Sequence, residues 1–194
     1  ALESPTRDAT RPRATVNPRR ANARAVSTDT LGEFESALAG QDVGCTHTEA
    51  DGFADALADV VEPPAVGAPL DIDGVSLDGT GVVTSPTPRQ LRDAETGVAQ
   101  AGAGVAEYGT LVVQSDVGGT EPVSLFPPTH VAVLRASDVL PDVRAGLDWL
   151  AEEFAAGRDS AVLATGPSAT ADMGAPVLGA HGPKHVHVLL VTDR

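Results

Sequence analysis

The sequence predicts an α/β fold in which a largely parallel sheet is flanked by helices and carries one attached hairpin. Apolar runs of six or seven residues alternate with helical-period segments through the second half of the chain, the order expected of a parallel sheet. Two such runs separated by a Gly-rich turn predict the hairpin. A length of 194 residues is sufficient for one sizeable core.

The first half contains three predicted elements before its pattern becomes indistinct. They are a capped helix at 27–40, a short strand at 42–47 and a second amphipathic helix at 51–61. In the first helix Leu31, Phe34 and Leu38 recur at helical spacing. Residues 63–95 are rich in Gly, Pro and Asp, so they predict short strands at best.

The second half predicts most of the sheet. The predicted elements are strands at 109–115, 130–136, 160–166 and 185–193 and a helix at 137–157. Residues 121–126 are predicted to return as a strand, which makes 110–126 a hairpin. Pro141 suits the first turn of the helix. An apolar stripe is predicted to bury that helix, formed by Val143, Leu147, Leu150 and Phe154.

The charge balance is strongly acidic. Asp and Glu number 27 against 13 Lys and Arg, for a formal net charge of −14. With Lys184 as the only lysine and 3% aromatic residues, the composition resembles that of proteins from salt-loving archaea; an acidic mesophile protein is the alternative. Either way, the charge argues against nonspecific binding of the folded body to nucleic acid or a membrane surface.

The amino-terminal stretch differs from the rest. Residues 1–24 contain six Arg but only Glu3 and Asp8 as acids, and they have no apolar run. A disordered basic tail is therefore predicted over 1–26, ahead of one domain at 27–194. Such a tail either contacts nucleic acid or an acidic partner, or is a solvated leader. Without an export signal or a membrane-length apolar run, the chain is predicted to be cytoplasmic.

The segment 165–172, Thr-Gly-Pro-Ser-Ala-Thr-Ala-Asp, is the clearest candidate ligand site. It is interpreted as an apolar strand passing through a hydroxyl-rich turn into a short helix, a place where α/β proteins present ligand-binding loops. Ser168, Thr170 and Asp172 either cap that helix or, with Thr165 and Gly166, contact a ligand. A carboxylate at Asp172 would compete with a bound anion.

Three other residues are candidates for the same site. Glu107 precedes a strand and is either a base or nucleophile or a solvated turn residue. His130 opens a strand after two prolines, and His181 lies in a Gly-Pro turn before the last strand. Both imidazoles are predicted to line the ligand site.

The remaining histidines and the cysteine predict no metal or redox centre. His185 and His187 share one face of the last strand, but no third ligand has a fixed spacing, and His187 is better explained as packed against the core. Cys45 is the only cysteine, which excludes an intrachain disulfide and a cysteine-held iron–sulfur cluster. No cofactor of its own is predicted.

Three segments, GVAEYGTLVVQS, SLFPPTHVAVLRASDVLPDV and ATGPSATADMGAPVLGAHGPKHVHVLLV, occur in order within residues 97–194. Together they resemble the LUD-domain family, in particular its lactate-utilisation protein C type. The resemblance implies a fold similar to the ribose-5-phosphate-isomerase and CoA-transferase-like (NagB/RpiA) group. It also implies a role in oxidising L-lactate to pyruvate beside partners that carry iron–sulfur clusters. Glu107 occupies the family's acidic position before Gly-Thr-Leu.

The chain departs from that family pattern at two places. Gly174 stands where the family usually has Glu, and Ala99 to Gly102 replace the usual Thr-Gly-Ala-Asp. Three functions therefore stay open: an accessory, clusterless component of a lactate-utilisation system, an acyl- or phosphosugar-handling enzyme that uses Glu107, or a non-catalytic ligand-binding or regulatory module.

Overall fold

A computed structural model describes residues 26–172 and 175–194, with the side chains of 171, 172, 175 and 176 left aside. The predicted basic tail therefore lies outside the described residues, apart from Val26, which packs against the core. Gly174 and the side chain of Asp172 also lie outside them. In the described part, no helix has both the length and the apolar character needed to cross a membrane.

The main sheet has six strands, all parallel, which confirms the predicted fold class. Taken by position across the sheet, they are β1 (Gly44–Thr48), β12 (His185–Val191), β7 (Thr129–Arg135), β4 (Thr96–Gln100), β2 (Ala65–Gly67) and β3 (Val83–Thr84). Strands β12 and β7 are neighbours inside the sheet and pair along their whole length, from His185 with Thr129 to Val191 with Arg135. Their near-continuous apolar runs reflect burial on both faces.

A helix covers each face of the main sheet. The α-helices among the described residues are α1 (Thr28–Gly40), α2 (Phe53–Ala58), α3 (Pro88–Asp93), α4 (Thr120–Leu125) and α5 (Val143–Ala155). Side chains of a strand alternate between faces, so β7 contributes to two clusters. One cluster joins Ala132 and Leu134 to Phe34 and Leu38 of α1, and the other joins Val131 and Val133 to Phe53 and Leu57 of α2.

Two smaller sheets contain the hairpins. One has four strands in the order β8 (Val139–Leu140), β5 (Ala103–Val105), β6 (Thr110–Gln114) and β9 (Ala161–Thr165), and the other pairs β10 (Ala169–Asp172) with β11 (Ala175–Leu178). The predicted hairpin at 110–126 is therefore wrong. Strand β6 pairs in antiparallel fashion with β5 before it and with β9 far along the chain.

Residues 121–126 do not return as a strand because hydrogen bonds just before them favour the start of a helix. Asp116 accepts hydrogen bonds from the backbone N–H of Thr120 at 3.1 Å and from its hydroxyl at 2.6 Å. Gly119 provides the left-handed turn, with φ +83°, immediately before α4. The local hydrogen bonds outweigh the strand preference of Val123 and Phe126.

Of the predicted apolar stripe of α5, only Leu150 is buried. Leu147 is 55% exposed and Phe154 47% exposed. The helix instead packs through a neighbouring face consisting of Gly146, Trp149, Leu150 and Glu153. Gly146 permits close approach of α5 to Val105 of β5. The buried face of α5 is therefore set by this close contact and not by the apolar periodicity. Pro141 precedes the helix, and Asp142 caps it by accepting from Ala145 N–H at 2.7 Å.

Candidate functional site

The loops that lead into the two central strands are hydrogen-bonded to each other. Lys184 N–H donates to the Pro128 carbonyl at 2.7 Å, and His185 N–H donates to the same oxygen at 3.1 Å. The Pro128 carbonyl, just before β7, is therefore a shared acceptor for the loop before β12. The amino ends of β7 and β12 are held in one arrangement.

The Gly-Pro-Ser turn is attached to the same loops. Ser168 N–H donates to the Pro183 carbonyl at 2.9 Å, and the Ser168 carbonyl accepts from Gly179 N–H at 2.8 Å. A side chain added at Gly182 would lie 3.1 Å from Ser168 Cβ, so the two backbones are in close contact. We call the loop 127–129, the turn 165–168 and the loop 179–184 together the three-turn assembly.

This environment of Ser168 contradicts the predicted strand-to-helix turn. Strand β9 belongs to the antiparallel part of the second sheet, and the turn leads into β10 of a hairpin. Neither Ser168 nor Thr170 caps a helix, and the turn presents no helix N-terminus to an anion. The Thr and Ala residues of 169–172 pair across a two-stranded ladder, which a periodicity of two would have predicted.

Thr165 and Gly166 support the base of the turn. The Thr165 and Thr110 hydroxyls are 2.7 Å apart and hydrogen-bonded. Gly166 has φ +73°, a conformation that favours glycine, and a side chain there would lie 3.1 Å from Gln41 Cβ at the end of α1. These two residues join the second sheet to the three-turn assembly.

His130 is the most unusual polar group near the assembly. It lies two residues beyond Pro128 in β7, is 2% exposed, and its Nε2 has no hydrogen-bond partner among the described residues. Burial lowers its pKa from 6.5 to about 4, so the imidazole is neutral near neutral pH. In the sheet it lies between Gly97 of β4 and Val186 of β12.

Glu107 stabilises the start of α5. Its carboxylate accepts a hydrogen bond from Val143 N–H at 3.2 Å, and its own N–H donates to the Pro141 carbonyl at 3.2 Å. The side chain is exposed and interacts with the positive end of the helix dipole. Its geometry is that of a capping residue, and no described nucleophile-activating partner is bonded to it.

The other histidines separate into exposed and packed residues. His181 and His185 are exposed at the amino end of β12. His187 is half-buried, with its Nε2 2.9 Å from the Thr46 hydroxyl and its ring against Gly44, and burial lowers its pKa. Packing of His187 against the core is therefore confirmed. Within residues 26–172 and 175–194 no three His, Cys, Asp or Glu side chains form a group that could hold a metal.

The structure adds information on two residues, Lys184 and Gly102, that the sequence alone did not provide. Lys184 was not predicted to belong to the site, although its status as the only lysine, in a Gly-Pro turn, was a usable signal. A side chain at Gly102 would lie 2.7 Å from Gln114 Oε1 and 2.8 Å from Trp149 Cη2. The space that the family's Asp would need is therefore occupied by these two side chains.

The fold and the assembly define an α/β protein with a parallel main sheet and polar turns at the amino ends of its central strands. The LUD domain family model matches residues 45–191, and the chain belongs to this family. This confirms the family resemblance seen in the three sequence segments.

The curated relatives are similar at modest identity. Lactate utilization protein C of a Geobacillus strain is 32% identical over 105 residues, which are 52% of this chain and 44% of that protein. Lactate utilization protein C of Deinococcus radiodurans is 29% identical over 171 residues, 83% of this chain and 79% of that protein. Uncharacterized protein YkgG of Escherichia coli is 33% identical over 108 residues, 54% of this chain and 47% of that protein. The chain thus spans about half the length of most of the curated relatives it matches.

A solved structure supports the architecture. The crystal structure of a DUF162 family protein from Deinococcus radiodurans is similar with a TM-score of 0.67, covering 86% of this chain and 99% of that one. At 22% identity this similarity establishes the fold alone.

Proposed function

We propose that the chain is a component of an L-lactate utilisation system that oxidises lactate to pyruvate, and that it is the member without an iron–sulfur cluster. The observation that carries this proposal is the LUD domain match over 45–191, together with relatives that bear the name lactate utilization protein C. Partner proteins with iron–sulfur clusters complete the proposed system.

The cysteine content supports the clusterless assignment. Oxidation of lactate to pyruvate releases two electrons and two protons, so an electron acceptor is needed. Iron–sulfur clusters are generally held by about four cysteine thiolates, whereas this chain has Cys45 alone. Burial, with a smaller contribution from Glu35, raises the pKa of that thiol to about 11, which keeps it protonated. We assign the electron-accepting step to the partners.

The geometry does not favour the acyl-transfer alternative. A nucleophilic carboxylate must be free to approach an acyl carbon, but Glu107 is bonded to the first turn of α5. The three-turn assembly, with Ser168 and the buried His130, is the better candidate for ligand contact. We place the system in the cytoplasm of a salt-adapted cell, since in molar salt the Debye length is roughly 3 Å and repulsion within a chain of net charge −14 is screened.

The test is genetic and biochemical. A strain lacking the chain is grown on L-lactate or on pyruvate as sole carbon source and complemented with wild type, S168A or the matched control S36A. Ser36 lies on α1, and its hydroxyl donates to the Gly32 carbonyl, far in sequence from the assembly. We expect the deletion strain to lose growth on lactate and to keep growth on pyruvate. Wild type and S36A should restore growth on lactate, whereas S168A should not.

Partner binding is measured on the same strain. Affinity-tagged full-length chain, purified in high salt, should bring down proteins that contain iron and acid-labile sulfide. Normal growth of the deletion strain on lactate, or isolation of the chain without any iron-containing protein, would contradict the proposed function.

A further inference from the structure

We propose that two copies of this chain associate through the outer edge of strand β9, which pairs in antiparallel fashion with β9 of the second copy. The pairing joins the four-stranded sheets of the two copies into one continuous sheet. The surface involved consists of Ala161–Thr165 together with Val143, Leu147 and Phe154 of α5, and we call it the β9–α5 patch. The inference does not depend on the proposed role in lactate utilisation.

Strand β9 has an unpaired outer edge. It is the last strand of its sheet, and β6 is its neighbour on the other side. The Ser115 N–H donates to the Ser160 carbonyl at 3.0 Å, so residues 160, 162 and 164 direct their backbone groups towards β6. The N–H and carbonyl groups of residues 161, 163 and 165 therefore point away from the sheet, where a further strand could bind them.

This edge lacks the features that usually prevent strands from pairing. Natural edge strands are very short, or they carry charged residues or proline. The other edge strands of the two larger sheets are β1, β3 and β8. Strands β3 and β8 have two residues each, and β1 carries the exposed His47, which is hydrogen-bonded to Glu35 at 2.9 Å. Strand β9 has five residues, without charge or proline, and its Leu163 is 51% exposed.

Leu163 lies on the side of the sheet that α5 covers. Ala161 packs against the cluster that contains Trp149 and Leu150 of α5. Because side chains alternate along a strand, Leu163 lies on the same face as Ala161. Its neighbour across the ladder, Val112, belongs to the same cluster. Leu163 is therefore placed beside α5 at the open end of this sheet face.

The exposed residues of the α5 stripe are directed towards β9. They lie three, four and seven residues from Leu150, so they share its side of the helix. Trp149, on the other side of Leu150, reaches the start of β5, where a side chain at Gly102 would lie 2.8 Å from its ring. Strands β5 and β9 lie on opposite sides of β6, so the stripe faces β9. The stripe and Leu163 thus form one apolar surface.

The size of the patch suits the centre of a dimer interface. Leu147, Phe154 and Leu163 are each about half exposed, and Val143 is 39% exposed. Together they present an apolar area on the order of 300–600 Å², the size of the largest patches on typical monomers, which are often functional. A standard interface buries about 800 Å² per partner. The remainder is supplied by the backbone edge of β9 and its small side chains.

The charge and the symmetry of the patch favour a second copy as the occupant. None of its residues is charged, although the chain has 27 acidic residues and a net charge of −14. Two such bodies repel each other, so they approach best through a neutral surface. A two-fold axis at Leu163 places this residue opposite itself and Ala161 opposite Thr165. The outward backbone groups then meet reciprocally, and no like charges lie opposite each other.

The experiment determines the oligomeric state of the full-length chain by sedimentation velocity over a range of concentrations, in low and in molar salt. The variants are L163K on β9 and L147E on α5. The control is V83K, which makes the same change at a 41% exposed residue of the edge strand β3. Circular dichroism establishes that each variant is folded. Amide hydrogen exchange, followed by nuclear magnetic resonance, reports on the N–H groups of residues 161, 163 and 165.

We expect wild type and V83K to form dimers that become tighter as salt screens the repulsion between the acidic copies. L163K and L147E should each raise the dimer dissociation constant at least about thirtyfold, the effect of losing a central anchor residue. The N–H groups of residues 161, 163 and 165 should exchange slowly in the wild-type dimer, and at least about tenfold faster in L163K, because strand pairing protects them.

A wild-type chain that stays monomeric at every concentration in molar salt would overturn the inference, also if a different protein were found to bind β9. A dimer that L163K and L147E leave unchanged, or one in which the Leu163 N–H exchanges rapidly, would place the contact elsewhere. A dimer that weakens as salt is added would show association through opposite charges, as between the basic segment 1–24 and an acidic body, and would equally reject pairing through β9.

Discussion

Replacement of His130 by leucine should not destabilise the protein at neutral pH. The side chain is 2% exposed, and its Nε2 has no hydrogen-bond partner among the described residues. A buried polar group without a partner costs about 1–3 kcal/mol, and an apolar group of similar size removes that cost. At pH 7 we therefore expect H130L to have a free energy of unfolding equal to or above that of wild type.

The pH dependence of stability gives the magnitude. Burial lowers the pKa of His130 from 6.5 to about 4. Between these values the unfolded chain binds a proton that the native chain does not, so the wild-type free energy of unfolding falls as the pH decreases from 6.5 towards 4. Each pKa unit corresponds to about 1.4 kcal/mol, so His130 contributes a loss of up to about 3 kcal/mol over this interval.

The assay is urea denaturation in buffered salt at pH 7, 6, 5 and 4.5, for wild type, H130L and H185L. His185 is exposed on the neighbouring strand β12 and serves as the control. Carboxylates also titrate at the acid end, so the informative quantity is the difference between wild type and variant at each pH. That difference should widen steadily in favour of H130L as the pH falls. Parallel pH profiles for wild type and H130L would refute the reasoning.

Three further changes have expected outcomes. G97A places a methyl group against the Val123 carbonyl, so we expect the free energy of unfolding to fall by at least about 3 kcal/mol, or the chain not to fold. The control G32A has open space on α1 and should raise the free energy of unfolding by up to about 1 kcal/mol. Equal effects of the two variants in thermal melts would contradict the close packing of α4 on β4. D142A removes the N-cap of α5 and should cost about 1 kcal/mol in urea titrations, and no change would mean that the cap is not formed in solution. E107Q retains a hydrogen-bond acceptor but loses the interaction of its charge with the helix dipole. We therefore expect the free energy of unfolding to fall by about 0.5 kcal/mol and growth on lactate to be unchanged. Abolished growth with normal stability would instead support a catalytic carboxylate.

The sequence predicts a helix or strand correctly where the segment's own periodicity decides its conformation. The apolar run at 130–136 had to be a buried strand, since only a central strand of a parallel sheet is covered on both faces. The Phe34 and Leu38 face of α1 was equally clear, because helical spacing places these residues together against the sheet. Strand β4 was missed, since Thr96–Gln100 is short and two of its five residues are Gly and Gln.

Other elements depended on contacts that the apolar periodicity of a segment does not show. Residues 121–126 have strand-like composition, but hydrogen bonds from Thr120 to Asp116, four residues earlier, favour the start of α4 there. The exposed stripe of α5 has the apolar periodicity, yet Gly146 allowed the adjacent face to approach β5 more closely. The sequence predicts that the hydroxyl-rich turn at 165–168 leads into a helix, but the turn is hydrogen-bonded to the loop before β12 and leads into a hairpin.

The sequence by itself determined the fold class, the acidic charge, the lack of cysteine ligands and the family, because composition and ordered motifs are properties of the chain alone. Only the tertiary structure decided which polar residues share a site. Glu107 proved to cap α5, while Lys184 became a neighbour of Ser168 through Gly179. Such proximity depends on hydrogen bonds and close contacts between segments that are separated along the chain, and no local pattern specifies them.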